Sequence, residues 1–206
     1  MRILIVEDHA VVATGLQLGL EAEGYEVTTS NGVDLSVLDG HHDLVLLDLG
    51  LGEAGSGLDL IPLMRGSVVV VLTGETDTET LAAAFDAGAA SVLDKSVPFP
   101  KLLRHLEAAM AGHDLEADQR RHEILGRRRT ETAERRRRLA PFEPLTEREA
   151  AVLGMLMEGR QAAEIADASY VSISTVRSQI RSILAKLGVS SQLTAVAMAV
   201  KAGWRP

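Results

Sequence analysis

Short runs of apolar residues alternate with longer amphipathic segments over the first 111 residues of the chain. The runs have the length and the β-branched content of strands, and those at 44–47 and 68–72 are apolar throughout. Continuous apolar strands are typical of a parallel sheet that is covered by helices on both faces. The predicted strands are residues 2–6, 26–29, 44–47, 68–72 and 91–93.

Helical periodicity predicts the elements that lie between these strands. The predicted helices are residues 9–23, 35–38, 58–64, 78–87 and 101–111, of which 35–38 has the weakest pattern. Five strand–helix units in this order predict an α/β fold with a doubly wound five-stranded parallel sheet. In such a sheet the ligand site lies at the carboxyl ends of the strands.

Residues 112–144 depart from this alternation, because few large aliphatic residues stand among dense charges such as the four arginines at 135–138. The segment either extends the preceding helix or forms a flexible linker. Pro141 and Pro144 end it, since proline cannot continue a helix. The predicted organisation is therefore a domain at 1–111, a charged linker that is helical or flexible at 112–144, and a second domain at 145–206.

The pattern from residue 145 onward is helical throughout. Thr146 and Glu149 have the spacing of a capping box, in which each side chain satisfies a free backbone donor at the start of a helix. Gly159 and Gly188 are placed to end helices and begin turns. Three more helices are predicted at 162–168, 174–187 and 192–202. The sequence thus predicts an all-α domain of four helices.

The helix predicted at 174–187 has two distinct faces. Val176, Ile180, Ile183, Leu184 and Leu187 recur at helical spacing and would bury one side. The opposite side carries the polar residues Arg177, Ser178 and Arg181. An apolar face toward its own domain and a basic face toward solvent suit a helix that enters the major groove of DNA, although two arginines alone are also common on a surface helix.

Charge divides the chain in the same way. Residues 1–112 hold five Lys/Arg against seventeen Asp/Glu, a net charge of −12, whereas residues 145–206 hold seven against five, a net charge of +2. The acidic part would repel a phosphate backbone and the last part would not. The absence of cysteine excludes disulfides and Cys-ligated metals. With no apolar run near the ~20 residues of a membrane span and an acidic start unlike a signal peptide, we expect a soluble, cytoplasmic protein.

Polar residues follow the predicted strands at the rim where a ligand would bind. Glu7 and Asp8 follow the first strand, Asp48 the third, Thr73 the fourth, and Lys95 lies just beyond the fifth. Three carboxylates together repel one another, which favours a hard cation such as Mg²⁺ with oxygen ligands. A nearby lysine and hydroxyl are suited to the oxygens of a phosphoryl group.

These residues resemble the receiver domain of response regulators, whose fold is that of the chemotaxis protein CheY. The resemblance covers 1–111 and is carried by Glu7-Asp8-His9, Asp48-Leu49, Leu72-Thr73-Gly74 and Lys95-Ser96. It implies that Asp48 takes a phosphoryl group from a sensor histidine kinase. Lys95 would pair with the phosphoryl oxygens and Thr73 would hydrogen-bond another. The implied Mg²⁺ ligands are Glu7, Asp8, Asp48 and the backbone carbonyl of Gly50.

Two positions depart from the receiver pattern. Gly52 stands where receivers commonly have proline, and Val92 stands where they usually have the aromatic residue that moves together with the threonine hydroxyl. These two changes leave the residues of the phosphorylation chemistry in place. They put in doubt the usual movement by which a receiver passes its phosphorylated state to the output domain. An alternative hypothesis is therefore a DNA-binding regulator that works independently of phosphorylation, with the receiver as a dimerisation module.

A glycine pattern at residues 50–55 offers a different hypothesis. Gly50, Gly52 and Gly55 form G-x-G-x-x-G after a strand, with Glu75 twenty residues beyond, which is the fingerprint of a dinucleotide-binding enzyme. Asp48 and Glu53 would oppose the pyrophosphate that such a loop must bind. The pattern also leaves the acidic residues of the first strand unexplained. We therefore expect a mobile loop after Asp48 and not an enzyme.

Residues 145–204 closely resemble the DNA-binding domain of LuxR/NarL-type regulators. The matching motifs are 145–149 (LTERE), 163–166 (AEIA), 172–177 (SISTVR), 183–189 (ILAKLGV) and 195–196 (AV). The resemblance implies that Thr175 contacts a DNA phosphate and that Arg177, Ser178 and Arg181 reach bases or phosphates. It also implies a homodimer on double-stranded DNA through the last helix, which includes Val196 and Val200. The whole chain is expected to be a response regulator whose acidic receiver masks DNA binding until phosphorylation.

Overall fold

A computed structural model describes residues 1–32, 40–52 and 55–206. The described residues divide into two compact units, Met1–Arg129 and Thr130–Pro206. The strands of the first unit are β1 Arg2–Val6, β2 Glu26–Ser30, β3 Leu44–Leu47, β4 Val68–Thr73 and β5 Ser91–Asp94. The helices are α1 Ala10–Ala22, α2 Thr78–Ala87, α3 Phe99–Ala111, α4 Leu115–Leu139, α5 Glu147–Met157, α6 Ala162–Ala168, α7 Ile173–Leu187 and α8 Gln192–Ala202.

The first unit is built on one parallel sheet with the strand order β2-β1-β3-β4-β5. Side chains alternate along each strand, so two separate apolar clusters form. One lies between the sheet and α2, and the other between the sheet and helices α1 and α3. The predicted doubly wound α/β fold is confirmed, because strands that are apolar at every position bury both of their sides.

Two of the predicted helices, 35–38 and 58–64, are not among the helices that the structure describes. The helix predicted at 58–64 is wrong, since Gly57–Asp59 and Ile61–Leu63 form two short 3₁₀ turns. Pro62 explains the difference, because its ring removes a backbone donor and clashes with the carbonyl one turn earlier. The segment still buries Ile61 and Met64 beneath α2. The helix predicted at 35–38 lies outside the described residues.

The charged segment after α3 contains a helix of its own. Gly112 ends α3 in a left-handed conformation with φ +69°, and α4 then runs from Leu115 to Leu139. Asp114 begins α4 by accepting a hydrogen bond from the backbone N–H of Ala117 at 2.9 Å. Acidic residues occupy the first turn and arginines the last, which complements the helix dipole. The boundary between the two compact units falls inside α4.

The second unit packs α5 to α8 around an apolar core. Thr146 and Glu149 form the predicted capping box at the start of α5. Val176, Ile180, Ile183 and Leu187 of α7 are buried. Phe142 and Trp204 belong to this core and stack with ring centroids 5.3 Å apart. Within the described ranges, no single helix is long and apolar enough to cross a membrane; α7 and α8 meet that test only as a pair bent by 58°.

Candidate functional site

The predicted acidic residues meet at the carboxyl edge of the sheet. The backbone N–H of Asp48 donates to the carbonyl of Val6 at 2.9 Å, which continues the β1–β3 pairing to the point where both strands end. Glu7 and Asp48 are only 4% and 5% exposed, so their carboxylates lie in a pocket and not on the surface. Strand pairing thus brings residues 41 positions apart into one cluster.

Lys95 joins the two buried carboxylates. Its Nζ lies 2.6 Å from Oε2 of Glu7 and 2.8 Å from Oδ2 of Asp48. Burial alone would lower the pKa of Lys95, but hydrogen bonds to Asp48 and then Glu7 outweigh it and raise the pKa above its usual value. Lys95 is therefore a permanent cation in the pocket. A buried ion pair needs such geometry, because each desolvated charge is costly without a partner.

His9 completes the cluster on the solvent side. Its Nδ1 lies 2.7 Å from Oδ1 of Asp8 and 3.0 Å from Oε1 of Glu7. These hydrogen bonds, to Glu7 first and then to Asp8, raise the pKa of the exposed imidazole. One potential ligand atom from each of Glu7, Asp8, His9 and Asp48 lies within 4.8 Å of the others. Three carboxylates against one lysine leave excess negative charge, and this oxygen-rich donor set fits Mg²⁺.

The loop after Asp48 approaches the pocket more closely than any side chain would allow. A Cβ on Gly57 would lie 2.1 Å from the backbone oxygen of Asp48. A Cβ on Gly52 would lie 2.9 Å from Oδ2 of Asp8, and Gly52 has φ +53°. Proline is fixed near φ −65°, so it cannot adopt this conformation. The departure from the receiver pattern at Gly52 is thus built into the backbone of the loop.

Among the described residues, no α-helix follows the glycine pattern as a dinucleotide loop would require. The residues that follow it are the 3₁₀ turn Gly57–Asp59, and Gly50 pairs with Ser56 in an isolated antiparallel bridge. A dinucleotide site needs the amino terminus of an α-helix at this point, where free N–H groups face the pyrophosphate. Glu53 lies outside the described residues.

Thr73 and Val92 lie on β4 and β5, the strands that follow β3 in the sheet. Thr73 is 2% exposed at the end of β4, and its Oγ1 accepts a hydrogen bond from the backbone N–H of Glu75 at 3.2 Å. Because Oγ1 is the acceptor in this bond, its hydroxyl hydrogen is not used in it. Val92 is fully buried in the apolar cluster beneath α2. The structure therefore brings Glu7, Asp48 and Lys95 into direct contact and leaves Thr73 at the rim of the same pocket.

A second candidate site lies on α7 of the other unit. Ser172 begins this helix by accepting a hydrogen bond from the backbone N–H of Thr175 at 3.2 Å. All four residues predicted to contact DNA, which are Thr175, Arg177, Ser178 and Arg181, are exposed. Arg177 and Arg181 border an open groove of about 710 Å³ between α7 and the start of α8. The polar face of α7 is thus free while its apolar face fills the core.

Comparison with known proteins gives both units a family. The family model "Response regulator receiver domain" matches residues 3–107, and "Bacterial regulatory proteins, luxR family" matches residues 143–199. The nitrate/nitrite response regulator protein NarP of Escherichia coli (strain K12) is 32% identical over 203 residues, which cover 94% of this chain and 92% of NarP. The transcriptional regulatory protein LiaR of Bacillus subtilis (strain 168) is 29% identical over 97% of this chain and 96% of LiaR. The chain belongs to the two-component response regulators.

Solved structures show the same fold. A CheY-like receiver domain from Methanospirillum hungatei JF-1 matches 54% of the chain with a TM-score of 0.51 and 28% identity, and the match covers 94% of that chain. RcsB of Salmonella enterica serovar Typhimurium, bound to the promoter rprA in the presence of phosphomimetic BeF₃⁻, matches 96% of this chain and 97% of RcsB. Its TM-score is 0.51 at 23% identity, which shows the fold alone. This response regulator is thus a transcription regulator with a receiver and a LuxR-type DNA-binding domain, and not an enzyme.

Sequence reasoning missed a buried ionic cluster that holds the DNA-binding domain of this response regulator together. Glu149 is only 6% exposed and accepts hydrogen bonds from Ser182 at 2.6 Å and Lys186 at 2.6 Å, both on α7. The backbone N–H of Thr146 donates to the same carboxylate at 2.8 Å. The capping box predicted only this last contact. Glu149 therefore fixes α5 against α7, the helix that carries the candidate DNA contacts.

The Glu149 cluster makes the stability of the DNA-binding domain depend on pH. Burial alone would raise the pKa of Glu149, but hydrogen bonds from Lys186, Ser182 and Thr146 lower it from 4.5 to about 2. A folded pKa below the unfolded one stabilises the fold above pH ~4.5, and this stabilisation is lost as the pH falls toward 2. The shift corresponds to roughly 3 kcal/mol. We expect Glu149→Gln to remove this part of the acid dependence.

Urea unfolding followed by Trp204, the one tryptophan of the chain, measures this effect in the DNA-binding domain. At pH 7 Glu149→Gln is expected to lower the free energy of unfolding by about 1–3 kcal/mol, because Lys186 loses its charged partner. The difference from wild type should shrink as the pH approaches 2. Glu147→Gln, a matched change at an exposed neighbour on α5, is the control. Parallel pH curves for wild type and Glu149→Gln would contradict the assignment.

Proposed function

We propose that Asp48 is the phosphoryl acceptor of this response regulator and that a sensor histidine kinase is the donor. The observation that carries the proposal is the buried contact of Asp48 with Lys95 at 2.8 Å, in a pocket that also holds Glu7. An Asp48 oxygen would attack phosphorus, the N–P bond of a phosphohistidine would break, and the histidine would leave as imidazole. Lys95 is positioned to bind the phosphoryl oxygens, whose charge grows as the group is transferred.

The same pocket is proposed to bind Mg²⁺. The cation would be held by Glu7, Asp8, Asp48 and the backbone carbonyl of Gly50, and it would supply neutralising charge for the phosphoryl oxygens. Asp8 and Glu7 keep the pocket anionic, so it attracts the cation. Gly50 lies two residues after Asp48 at the start of the loop, and its Cα side faces the Asp48 carboxylate, since a Cβ there would lie 3.8 Å from Oδ2.

Thr73 is proposed to be the residue that responds to the phosphoryl group. Its Oγ1 already accepts a hydrogen bond from Glu75, so its O–H is the group that would donate to a phosphoryl oxygen. Rotation toward Asp48 would pull on Glu75, which lies in the loop between β4 and α2. This links the chemistry at Asp48 to the position of α2.

The exposed face of α7 is proposed to bind double-stranded promoter DNA in the major groove. Arg177, Ser178 and Arg181 would reach base edges or phosphates, and Thr175 a phosphate, because all are exposed on the side away from the core. A bidentate arginine–guanine pair discriminates between bases by about 1–3 kcal/mol. Binding to the chromosome would place the protein in the cytoplasm.

A homodimer through α8 is part of this proposal. Leu193 and Val200 are 79% and 61% exposed and lie seven residues apart, so they share one face of the helix. Val196, between them, is partly buried against the domain core. The dimer surface is therefore formed by Leu193 and Val200, with Val196 supporting it from beneath. Two copies would occupy half-sites about one helical turn of DNA apart.

Replacing Arg177 by alanine is expected to weaken promoter binding about tenfold, because one charged contact to DNA is lost from the exposed face of α7. Fluorescence anisotropy with a labelled promoter fragment, measured at two or more salt concentrations, gives the affinity and its salt dependence. Arg148→Ala, which removes the same charge from an exposed position on α5, is the matched control. If the two variants lose the same amount of DNA affinity, the loss comes from the net charge of the domain and not from a contact that α7 makes with DNA.

Phosphotransfer and DNA binding can be tested together on the full chain. The protein is incubated with a small phosphodonor and Mg²⁺, and acyl phosphate is measured by intact mass and by its sensitivity to hydroxylamine. DNA affinity and sedimentation are then compared with and without beryllofluoride. The proposal requires acyl phosphate, tighter DNA binding and dimers in the presence of the analogue. Unchanged DNA binding despite acyl phosphate would favour the alternative, regulation independent of phosphorylation with a receiver that only dimerises, which the departures at Gly52 and Val92 motivate.

A further inference from the structure

The first half of α4 is anchored to α3 of the receiver. His105, which is 5% exposed, contacts Asp114 through its Nδ1 at 2.9 Å. One turn before it on α3, Lys101 pairs with Glu116 at 2.7 Å. Ala117, the third residue of α4, is 3% exposed. The start of α4 is thus packed onto the receiver and does not leave it as a free connector.

The same half of α4 also contacts α2, on the other side of the edge strand β5. The Arg121 guanidinium lies 5.3 Å from the ring centroid of Phe85. Arg128 pairs with Asp86 at 2.6 Å. Ile124 is 7% exposed and belongs to the apolar cluster that includes Phe85. Residues 115–129 therefore reach from α3 to α2 across β5.

This docking surface adjoins the residues that respond to phosphorylation. Val92 of β5 is in the apolar cluster that contains Ile124, and it pairs with Val71 of β4. Thr73 ends β4 two residues later and pairs with Asp94. A movement of Thr73 and the start of α2 would change the surface that holds α4. At position 92 receivers usually have an aromatic residue, and this chain has the smaller Val92. Ile124 of α4 packs into the same apolar cluster as Val92.

The docking of α4 leaves part of the contact surface unfilled. An open pocket of about 520 Å³ remains in the seam between α3 and α4, lined by residues of both helices and by the end of β5 with the turn after it. Among the described residues, the buried Nε of Arg120 in this seam has no hydrogen-bond partner, which opposes docking. The Lys101–Glu116 and Arg128–Asp86 pairs are partly exposed, so each contributes little to docking. These features lower the free energy needed to release α4, while the His105–Asp114 contact and Ile124 favour the docked position.

We propose that residues 115–129 form a latch, docked on α2, β5 and α3 while Asp48 is unmodified and released when Asp48 carries a phosphoryl group. The latch rests on the proposed phosphorylation of Asp48. Release of the latch takes the place of the coupled movement of threonine and aromatic residue, which a receiver with Val92 at that position lacks. Release exposes the α2–β5–α3 surface of the receiver and frees the first half of α4 from its packing.

A single introduced cysteine reports the latch, because the chain has none of its own. In Ala117→Cys the thiol lies on the buried face of docked α4, whereas in Ala111→Cys it lies on an exposed site of α3. We expect a bulky maleimide to modify the Ala117→Cys thiol at least tenfold faster with beryllofluoride and Mg²⁺ than without them. The Ala111→Cys rate should not change. Equal Ala117→Cys rates in protein that carries the bound analogue would overturn the latch.

Charge variants test the docking without the phosphoryl analogue. Arg128→Glu, combined with Ala117→Cys, should raise the modification rate about threefold, because the weak attraction to Asp86 becomes repulsion, and Asp86→Arg in the same protein should restore protection. Arg127→Glu, an equal charge change at an exposed neighbour, should leave the rate unchanged. No effect of Arg128→Glu overturns the docking.

Fluorine NMR separates failure of the latch from failure of the proposed function, because it detects bound beryllofluoride directly. If no analogue binds, the proposed pocket chemistry fails, and the release step fails with it. If the analogue binds and the Ala117→Cys rate stays constant, only the latch fails.

Discussion

Asp48→Asn is expected to abolish acyl phosphate formation completely. The amide keeps the size of the side chain and its place beside Lys95, but it lacks the anionic oxygen that would attack phosphorus. The pocket keeps Glu7 as a partner for Lys95, so the fold should be retained. The measurement is intact mass after incubation with a small phosphodonor and Mg²⁺, with circular dichroism to verify folding.

The matched control for this substitution is Asp94→Asn. Asp94 also ends a strand of the sheet, but it is exposed and caps the turn at Ser96. Its variant should be phosphorylated as wild type is. Acyl phosphate on Asp48→Asn at the wild-type level would place the acceptor on another carboxylate, such as Asp8. DNA binding by Asp48→Asn should also stop responding to the phosphodonor.

Gly57→Ala is expected to damage both the fold and the chemistry of the receiver. Its Cβ would lie 2.1 Å from the backbone oxygen of Asp48 and 3.0 Å from the Cα of Leu49, so the backbone must move. Overpacking of this kind costs about 1–3 kcal/mol. A displacement of the acceptor by about 1 Å reduces the rate of a positioned reaction by roughly a hundredfold. We expect a lower unfolding temperature and phosphorylation slowed by that order.

Gly50→Ala separates this steric effect from a general need for glycine in the loop. Its Cβ would lie 3.8 Å from Oδ2 of Asp48, an ordinary contact, and the backbone carbonyl proposed to bind Mg²⁺ is kept. Thermal unfolding and the phosphorylation rate should therefore remain close to wild type. If Gly57→Ala also kept the wild-type unfolding temperature and phosphorylation rate, the close approach of the loop to Asp48 would not be needed for phosphorylation.

The sheet and the pocket could be predicted from sequence because both depend on local patterns. Strands buried on both faces are apolar throughout, and the residues that follow them reach one rim whatever the packing of the helices. Glu7, Asp48 and Lys95 therefore came together as predicted. The roles assigned to these residues, and to those on α7, stay predictions until the phosphotransfer and DNA-binding experiments are done.

Features that depend on tertiary packing could not be predicted in this way. The contacts of Glu149 come from α7, more than 30 residues later, and no local pattern marks them. The close approach of Gly57 to Asp48 depends on the path of a whole loop. The docking of residues 115–129 was also not predicted. Ile124 and Leu125 form only a narrow apolar stripe among the charges of α4, and such a stripe does not indicate a docked helix.

The course of α4 past β5 also determines where a receiver could be cut from this protein. β5 is the last strand of the sheet, and unpaired strand edges invite association with other chains. A fragment that ended with α3 would lack Arg121 and Ile124, which pack against Phe85 and against the apolar cluster that includes Val92 of this strand. The smallest soluble receiver should therefore extend through Arg129, about 20 residues beyond the end of the family match at residue 107.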